Sequence, residues 1–322
     1  MLSWNQIKYA GIGFGSALLL LLAWGVLVEP RLFEVKEENA AIPGLPNEWS
    51  GQRIALIADL QIGMWFGNEE TDRRIVDRII QEKPAFVLIA GDFVYKPTDE
   101  DERDDLERED THAFRQEVEG AVALVRPLAR AGLPVYAVLG NHDYGMNHPD
   151  SIKNDRIAEA VRAGLEGAGI RVLENAALPL SLPNDKATKA NSNSATKLYL
   201  AGIGSRYAGH DRSAAAFAQI PDGAPRIVFM HNPDSFAALP PRTAPLALAG
   251  HTHGGQIRVP FTKKCSWMAL QAEEEVHVDG WIDGFGQPGN RLYVNRGIGF
   301  STFPVRINCR SELTFFTLHR SN

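Results

Sequence analysis

Two cysteines in 322 residues are too few for a disulfide framework, and a chain of this length buries enough surface not to need one. Cys265 and Cys309 could still pair with each other. Positive charge is also in short supply: 33 Lys and Arg against 39 Asp and Glu leave a formal net charge of −6. No domain-wide positive field exists to hold a nucleic-acid backbone, so nucleic acid is not expected as a partner. Glycine and proline, at 29 and 19 residues, are not enriched, and 22% charged with 44% hydrophobic residues is globular composition. Collagen, low-complexity disorder and coiled coil are excluded. No repeat of about 20–50 residues is visible, which excludes a solenoid.

What is present begins at Tyr9. From there to Val28 the chain reads YAGIGFGSALLLLLAWGVLV, without a charge, long enough as a helix for the ~30 Å hydrocarbon layer. The run is longer than the ~7–15-residue apolar core of a cleaved signal peptide. Only Ala23-Trp24-Gly25, inside the run, resembles a cleavage site. A buried core helix would carry polar residues at helical spacing along one side, and no such stripe appears before Glu29. The segment therefore reads as one transmembrane helix, preceded by a tail over 1–8 and followed by a linker over 29–50. Lys8 and the amino terminus are nearly balanced by Arg31 and Lys36, so the positive-inside count is close to a tie. A short amino terminus held inside would put the remaining chain on the outer, extracytoplasmic side of the cell membrane.

Beyond the linker, Ile54–Ala58, Phe86–Ala90, Val135–Leu139, Leu198–Ala201, Ile227–Met230 and Leu246–Ala249 are short apolar runs that read as buried strands. Helical patterns separate the first three, one carrying Ile75, Val76, Ile79 and Ile80, the other running from about Asp110 to Arg130. Alternation of this kind predicts an α/β layered domain over 51–322, with later strands completing a sandwich. Thr98 to Asp110, almost entirely charged, and Ser181 to Lys197, rich in Ser, Asn, Lys and Ala, read as surface insertions.

The polar residues that close these runs carry the chemistry. They are Asp59 in IADLQIG, Asp92 in IAGDFV, Asn141-His142-Asp143 in LGNHD, His231 in FMHNPD, and His251 with His253 in AGHTHGG. Singly, each is an ordinary turn. Together they place Asp, Asp, Asn, His and His at the carboxyl ends of separate strands, where open α/β sheets bind ligands. On an extended strand, residues two apart point to one side, which would let Asp59 act with Gln61 and His251 with His253. Carboxylate, carboxamide and imidazole are donors for divalent Mn, Fe, Zn or Mg. Two such ions against two carboxylates leave a net positive site suited to a phosphate ester and to two-metal hydrolysis. His112, His148, His210, His277 and His319 lack such a setting and read as structural or exposed.

This order of motifs, from Asp59 to His253, resembles the calcineurin-like metallophosphoesterase superfamily. The amino-terminal helix followed by EPRLFEV, and the ending NRGIGFSTFPVRINCRSEL, resemble its YkuE-like membrane-anchored branch. The resemblance implies an αββα sandwich, two mixed β-sheets flanked by helices, with two divalent metals at one edge. It implies Asp59, the residue at Gln61, Asp92 and His253 around one metal, and Asp92, Asn141, His231 and His251 around the other. His142 would stabilise the transition state or protonate the leaving oxygen, and Asp143 would orient His142 by accepting its ring hydrogen. The family usually has His where this chain has Gln61. A carboxamide is a harder, weaker donor than imidazole, which favours Mn, Mg or Fe over tight Zn at the first site, with Mn the expected metal.

The expected substrate is a phosphorylated small molecule or a lipid or envelope phosphate. Relatives in this branch resemble lipid A precursor pyrophosphatases, which brings in UDP-diacylglucosamine. Arg206 and Tyr207 in GSRYAGHD are candidates for holding the substrate phosphate or headgroup, and Phe261, Lys263, Lys264 and Trp267 for rimming the cleft or meeting the bilayer. The competing reading is a membrane-anchored scaffold or binding protein on a degenerate phosphoesterase fold, motivated by Gln61 and the two insertions.

Overall fold

A computed structural model describes residues 3–95, 114–182, 197–259, 266 and 277–321. Thr98 to Asp110, His112, most of the second insertion, and Phe261, Lys263, Lys264, Cys265 and Trp267 lie outside them. Among the described residues, twelve strands form two six-stranded sheets. In the first, β2 (Arg53–Ile57), β3 (Val87–Ala90), β4 (Val135–Val138) and β5 (Arg171–Val172) run parallel. In the second, the parallel block is β7 (Tyr199–Ile203), β8 (Arg226–Met230), β9 (Ala247–Ala249) and β11 (Leu292–Val294). β6 (Ala176–Pro179) and β10 (Gly280–Ile282) flank it antiparallel.

Alternation along the strands separates the layers. Ile54, Leu56 and Leu88 face Leu200, Ile227, Phe229 and Leu248 between the sheets, while Ala55, Ile57, Val87 and Ile89 face outward. Three helices cover that outward face: α2 (Glu69–Glu82), α3 (Arg115–Arg130) and α4 (Asp155–Gly167). They bury Ile75, Val76 and Ile79, then Val118, Val122 and Val125, then Ile157, Val161 and Leu165, spacings that keep one face on the sheet. The far face of the second sheet is covered by the short α5 (Ser213–Phe217) and a 3₁₀ turn over Pro233–Ala238, which bring Ala216 and Phe236 onto it. The expected αββα sandwich is observed, and each of the six expected strands is present.

The linker is not observed as such. Phe33–Pro43 forms β1, paired in parallel with β12 (Ser311–Ser321) over its whole length, from Phe33 opposite Ser311 to Pro43 opposite Ser321. β12 in turn runs antiparallel to β2, so the folded domain begins at Phe33. The strand hides in the sequence because its charges are used locally. Lys36 reaches Glu312 at 2.8 Å, Glu34 reaches Arg296 at 2.6 Å, and Glu38 accepts from the Trp281 indole at 2.9 Å.

Ahead of β1 stands α1 (Trp4–Leu27), opened by Ser3 and Gln6 in a capping box. Only Gly25 of this helix is buried, which excludes the core-helix alternative, and the segment is long and apolar enough to cross a membrane. Its last turn is fastened to the domain. The Arg306 amide donates to Gly25 O at 2.9 Å, and Glu29 accepts from the Cys309 amide at 2.6 Å and the Trp24 indole at 2.8 Å. Cys309 itself is a free buried thiol.

Candidate metal centre

All the motif residues lie just past strand ends. Asp59 is two residues beyond β2, Asp92 two beyond β3, Asn141 three beyond β4, His231 directly after β8 and His251 two beyond β9. Both sheets thus deliver side chains to one edge of the sandwich. The extended-strand argument for the i, i+2 pairs does not hold. Asp59, Gln61, Asp92, His251 and His253 have φ of 56°, 54°, 56°, 74° and 47°, so tight left-handed turns bring each pair together. Left-handed backbone at a non-glycine residue costs of order 1–2 kcal/mol, and five such residues in one place mark a strained functional site.

Glycine makes the crowding possible. A Cβ at Gly140 would lie 2.1 Å from Asp92 Oδ1, and one at Gly297 would lie 2.3 Å from Asp59 Oδ2. Gly297 follows β11, so the carboxy-terminal motif forms a wall of the site. Behind it the fully buried Arg306 donates to the carbonyls of Gly299, Arg296 and Cys309 at 2.6–3.1 Å, fixing that loop. The sequence carries Arg306 and Gly297 in plain view, but nothing in their spacing distinguishes them from surface loop residues.

Among the described residues, two groups of side chains present ligand atoms within 4.8 Å of one another: Asp59, Asp92 and His253, and Asp92, His231 and His251. Asp92 is common to both. His231 Nδ1 donates to Ala90 O at 2.7 Å, which leaves Nε2 facing Asp92 Oδ2 and Asn141 Oδ1, each at 3.1 Å. The Asn141 amide donates to Met146 O at 2.6 Å, which turns its oxygen toward His231. Gln61 Nε2 is 3.0 Å from Asp92 Oδ2 and 3.5 Å from His253 Nε2, while its Oε1 and His253 Nδ1 are buried with no hydrogen-bond partner. Half a turn of the Gln61 amide exchanges its oxygen and nitrogen and puts an acceptor against the cluster.

Asp143 departs from its expected role. Its carboxylate accepts from the backbone amides of Asp92, Phe93, Val94 and Gly140 at 2.8–3.2 Å. It therefore ties the Asp92 loop to the Gly140 loop, and His142 Nδ1 has no hydrogen-bond partner. His142 is held instead by its amide, which donates to Asp92 Oδ1 at 2.9 Å, and by the Tyr95 ring, 4.8 Å away between centroids. Tyr207 is half-buried with its hydroxyl 3.2 Å from His251 Nε2, so it stands on a ligand candidate, whereas Arg206 is exposed and pairs with Asp211 at 3.3 Å. His210, expected to be structural or exposed, is half-buried against Glu174 and 3.3 Å from the Tyr144 hydroxyl, beside the His142 turn.

The protonation demands conflict. Burial pushes Asp59 up to about 7 against the pull of His231. Burial would raise Asp92 too, yet His231 and then His142 hold it well below the usual carboxylate range. Burial disfavours charge on His231, but Asp92 raises it to about 9. Burial and then His231 push His251 down to about 3, and burial and then Arg306 lower His253. Anionic oxygens beside imidazole lone pairs in a dry pocket form a donor set that divalent cations satisfy.

The calcineurin-like phosphoesterase profile matches residues 52–255, which span every motif from Asp59 to His253. The chain belongs to the calcineurin-like phosphoesterase family. It is accordingly a phosphoester hydrolase, of a family that works with two divalent metals. Among its relatives, phosphodiesterase YaeI of Escherichia coli is 32% identical over 95% of this chain and 93% of its own. The metallophosphoesterase YkuE of Bacillus subtilis is 26% identical over 97% and 92%. UDP-2,3-diacylglucosamine pyrophosphatase LpxG of Chlamydia trachomatis is 24% identical over 90% and 93%. The likeness runs beyond the family profile in both directions.

Proposed function

We propose that this hydrolase is anchored in the cell membrane by α1 and cleaves a phosphate ester or pyrophosphate carried on a lipid, of the UDP-diacylglucosamine kind. The observation that carries the reading is the fastening of α1 to the loop that walls the metal-ligand cluster, through Arg306 to Gly25 O and Cys309 to Glu29. A pyrophosphatase of that lipid among the relatives supports the substrate class. The domain is proposed to face the outer side of the membrane.

Asp59, Gln61, Asp92 and His253 would hold one divalent cation, and Asp92, Asn141, His231 and His251 the other, with Mn²⁺ the proposed metal. Bound there, the cations supply Lewis-acid activation of the phosphoryl group and of the attacking water. The protein supplies placement. Asp92 accepts the His142 amide through Oδ1, which leaves Oδ2 toward His231 and Gln61. Ala90 O and Tyr207 hold the outer ring atoms of His231 and His251, so that both rings turn their remaining nitrogens inward. His142, its amide on Asp92 and its ring tilted against Tyr95, would give a proton to the leaving oxygen.

The test is turnover by the Mn²⁺-loaded full chain on UDP-diacylglucosamine and other lipid phosphates in mixed micelles, against a panel of soluble esters. The lipid-linked substrates are expected to turn over faster. Faster turnover of every soluble substrate would remove the lipid proposal, and Asp92→Asn separates both from a scaffold, which keeps its partner when the carboxylate is lost.

A further inference from the structure

Outside residues 4–28, four large hydrophobic side chains among the described residues are exposed: Trp65 at 72%, Val259 at 52%, Phe303 at 44% and Phe66 at 39%. They come from three separate loops, yet each loop runs between the metal-ligand cluster and the end of α1. Trp65 and Phe66 lie in the stretch that leaves Gln61 and enters α2, whose Thr71 hydroxyl donates to Pro30 O at 3.2 Å just past α1. Phe303 lies between Gly299, packed on Gln61, and Val305, packed on Gly25 of α1. Val259 follows Arg258, whose amide donates to Ile307 O at 3.0 Å, and Ile307 also packs on Gly25. Gln256 joins two of these loops, donating to the carbonyls of Ser301 and Phe303 at 2.9 and 2.7 Å.

Large apolar side chains left exposed together mark a surface that meets something apolar. Here the loops that carry them reach the end of a helix long and apolar enough to span a bilayer, where Val305 and Ile307 pack on Gly25. Aromatic residues at the end of such a helix belong to the interfacial layer, where Trp24 also falls. Arg31 and Arg74 are exposed at the same end, Arg74 donating to Arg31 O at 2.8 Å, and add cations that suit anionic headgroups.

We infer that Trp65, Phe66, Val259 and Phe303 form a rim inserted in the bilayer interface, which seats the metal-ligand cluster at the membrane surface and admits headgroup phosphates from the lipid side. This rests on the reading of α1 as a membrane anchor. The rim explains how the catalytic edge would take a lipid: the acyl chains stay in the bilayer, and only the phosphate leaves it.

The test uses the full chain reconstituted in vesicles of phosphatidylglycerol and phosphatidylcholine, with and without bromination of the phosphatidylcholine near the headgroup end of its acyl chains. Subtracting the fluorescence of Trp65→Tyr from wild type isolates Trp65, and Trp281→Tyr does the same for Trp281, which packs between Tyr293 and Phe316. The Trp65 share is expected to lose about half its intensity to brominated lipid while the Trp281 share is unchanged. Equal insensitivity of both shares overturns the rim. In a second arm, Trp65→Ser with Phe303→Ser is expected to cut turnover of a vesicle-borne ester by about tenfold and leave bis-p-nitrophenyl phosphate hydrolysis within about twofold. Equal loss on both substrates also overturns it. If the wild type cleaves no vesicle-borne ester, the lipid-substrate reading fails and the quenching result alone decides the rim.

Discussion

Gly297 leaves Asp59 room that no other residue could. A methyl group there would sit 2.3 Å from Asp59 Oδ2 on backbone at φ 65°, so Gly297→Ala is expected to cost ~2–4 kcal/mol of stability and lower metal content. Thermal melting and metal analysis read both. Asp143→Ala is expected to cost ~3 kcal/mol or more, because four buried amides lose their acceptor, and this loss of melting temperature separates a loop tie from a residue that only orients His142. Tyr207→Phe keeps the ring but removes the hydroxyl from His251, and is expected to weaken metal affinity or turnover by about 10–100-fold. The types and order of the ligand candidates were legible in the chain because each closes an apolar run. Asp143 was legible as a motif residue but its part as a loop tie was not, since its partners are backbone amides that a sequence does not display. Tyr207 was expected to hold substrate, and the contact the structure shows is to His251, which the sequence does not display.

At the scale of elements, legibility followed burial. Strands with both faces covered, such as β3 and β8, announce themselves as unbroken apolar runs. β1 is an edge strand whose charged residues find partners across the sheet, and it reads as a linker. Removing residues 1–43 is therefore expected to strip β12 of its parallel neighbour, uncover Glu312 and give aggregated protein. A chain that begins at Arg31 is expected to stay soluble, as gel filtration would show. In the first turn of α2, Asp72 is fully buried with both carboxylate oxygens unpartnered, and burial, then Glu69, raise it well above its ordinary value against the pull of Arg73 and Arg306. A carboxyl that holds its proton more tightly when folded loses stability as pH rises from about 4 through its folded value. Asp72→Asn removes that loss, so its gain in melting temperature over wild type is expected to be larger at pH 8 than at pH 4.

Over the whole molecule, two parallel blocks end at one edge, so loops from distant parts of the chain converge where both sheets run out. The same edge holds the carboxy-terminal loop that grips α1, the helix long and apolar enough to cross a membrane, so the proposed anchor and the proposed chemistry meet in one place. Alternation of strand and helix was enough to predict the sandwich. The docking of α1 was not predictable, because Gly25 and Ile307 are nearly the length of the chain apart. The central claim is that Asp92 joins two cation sites that perform hydrolysis. Metal content and bis-p-nitrophenyl phosphate hydrolysis, measured together on the full chain and on Asp92→Asn, test it most directly. The expected result is about two metals per wild-type chain and turnover that falls by orders of magnitude in the variant. Unchanged turnover in Asp92→Asn, or an active wild-type chain without bound metal, would contradict it.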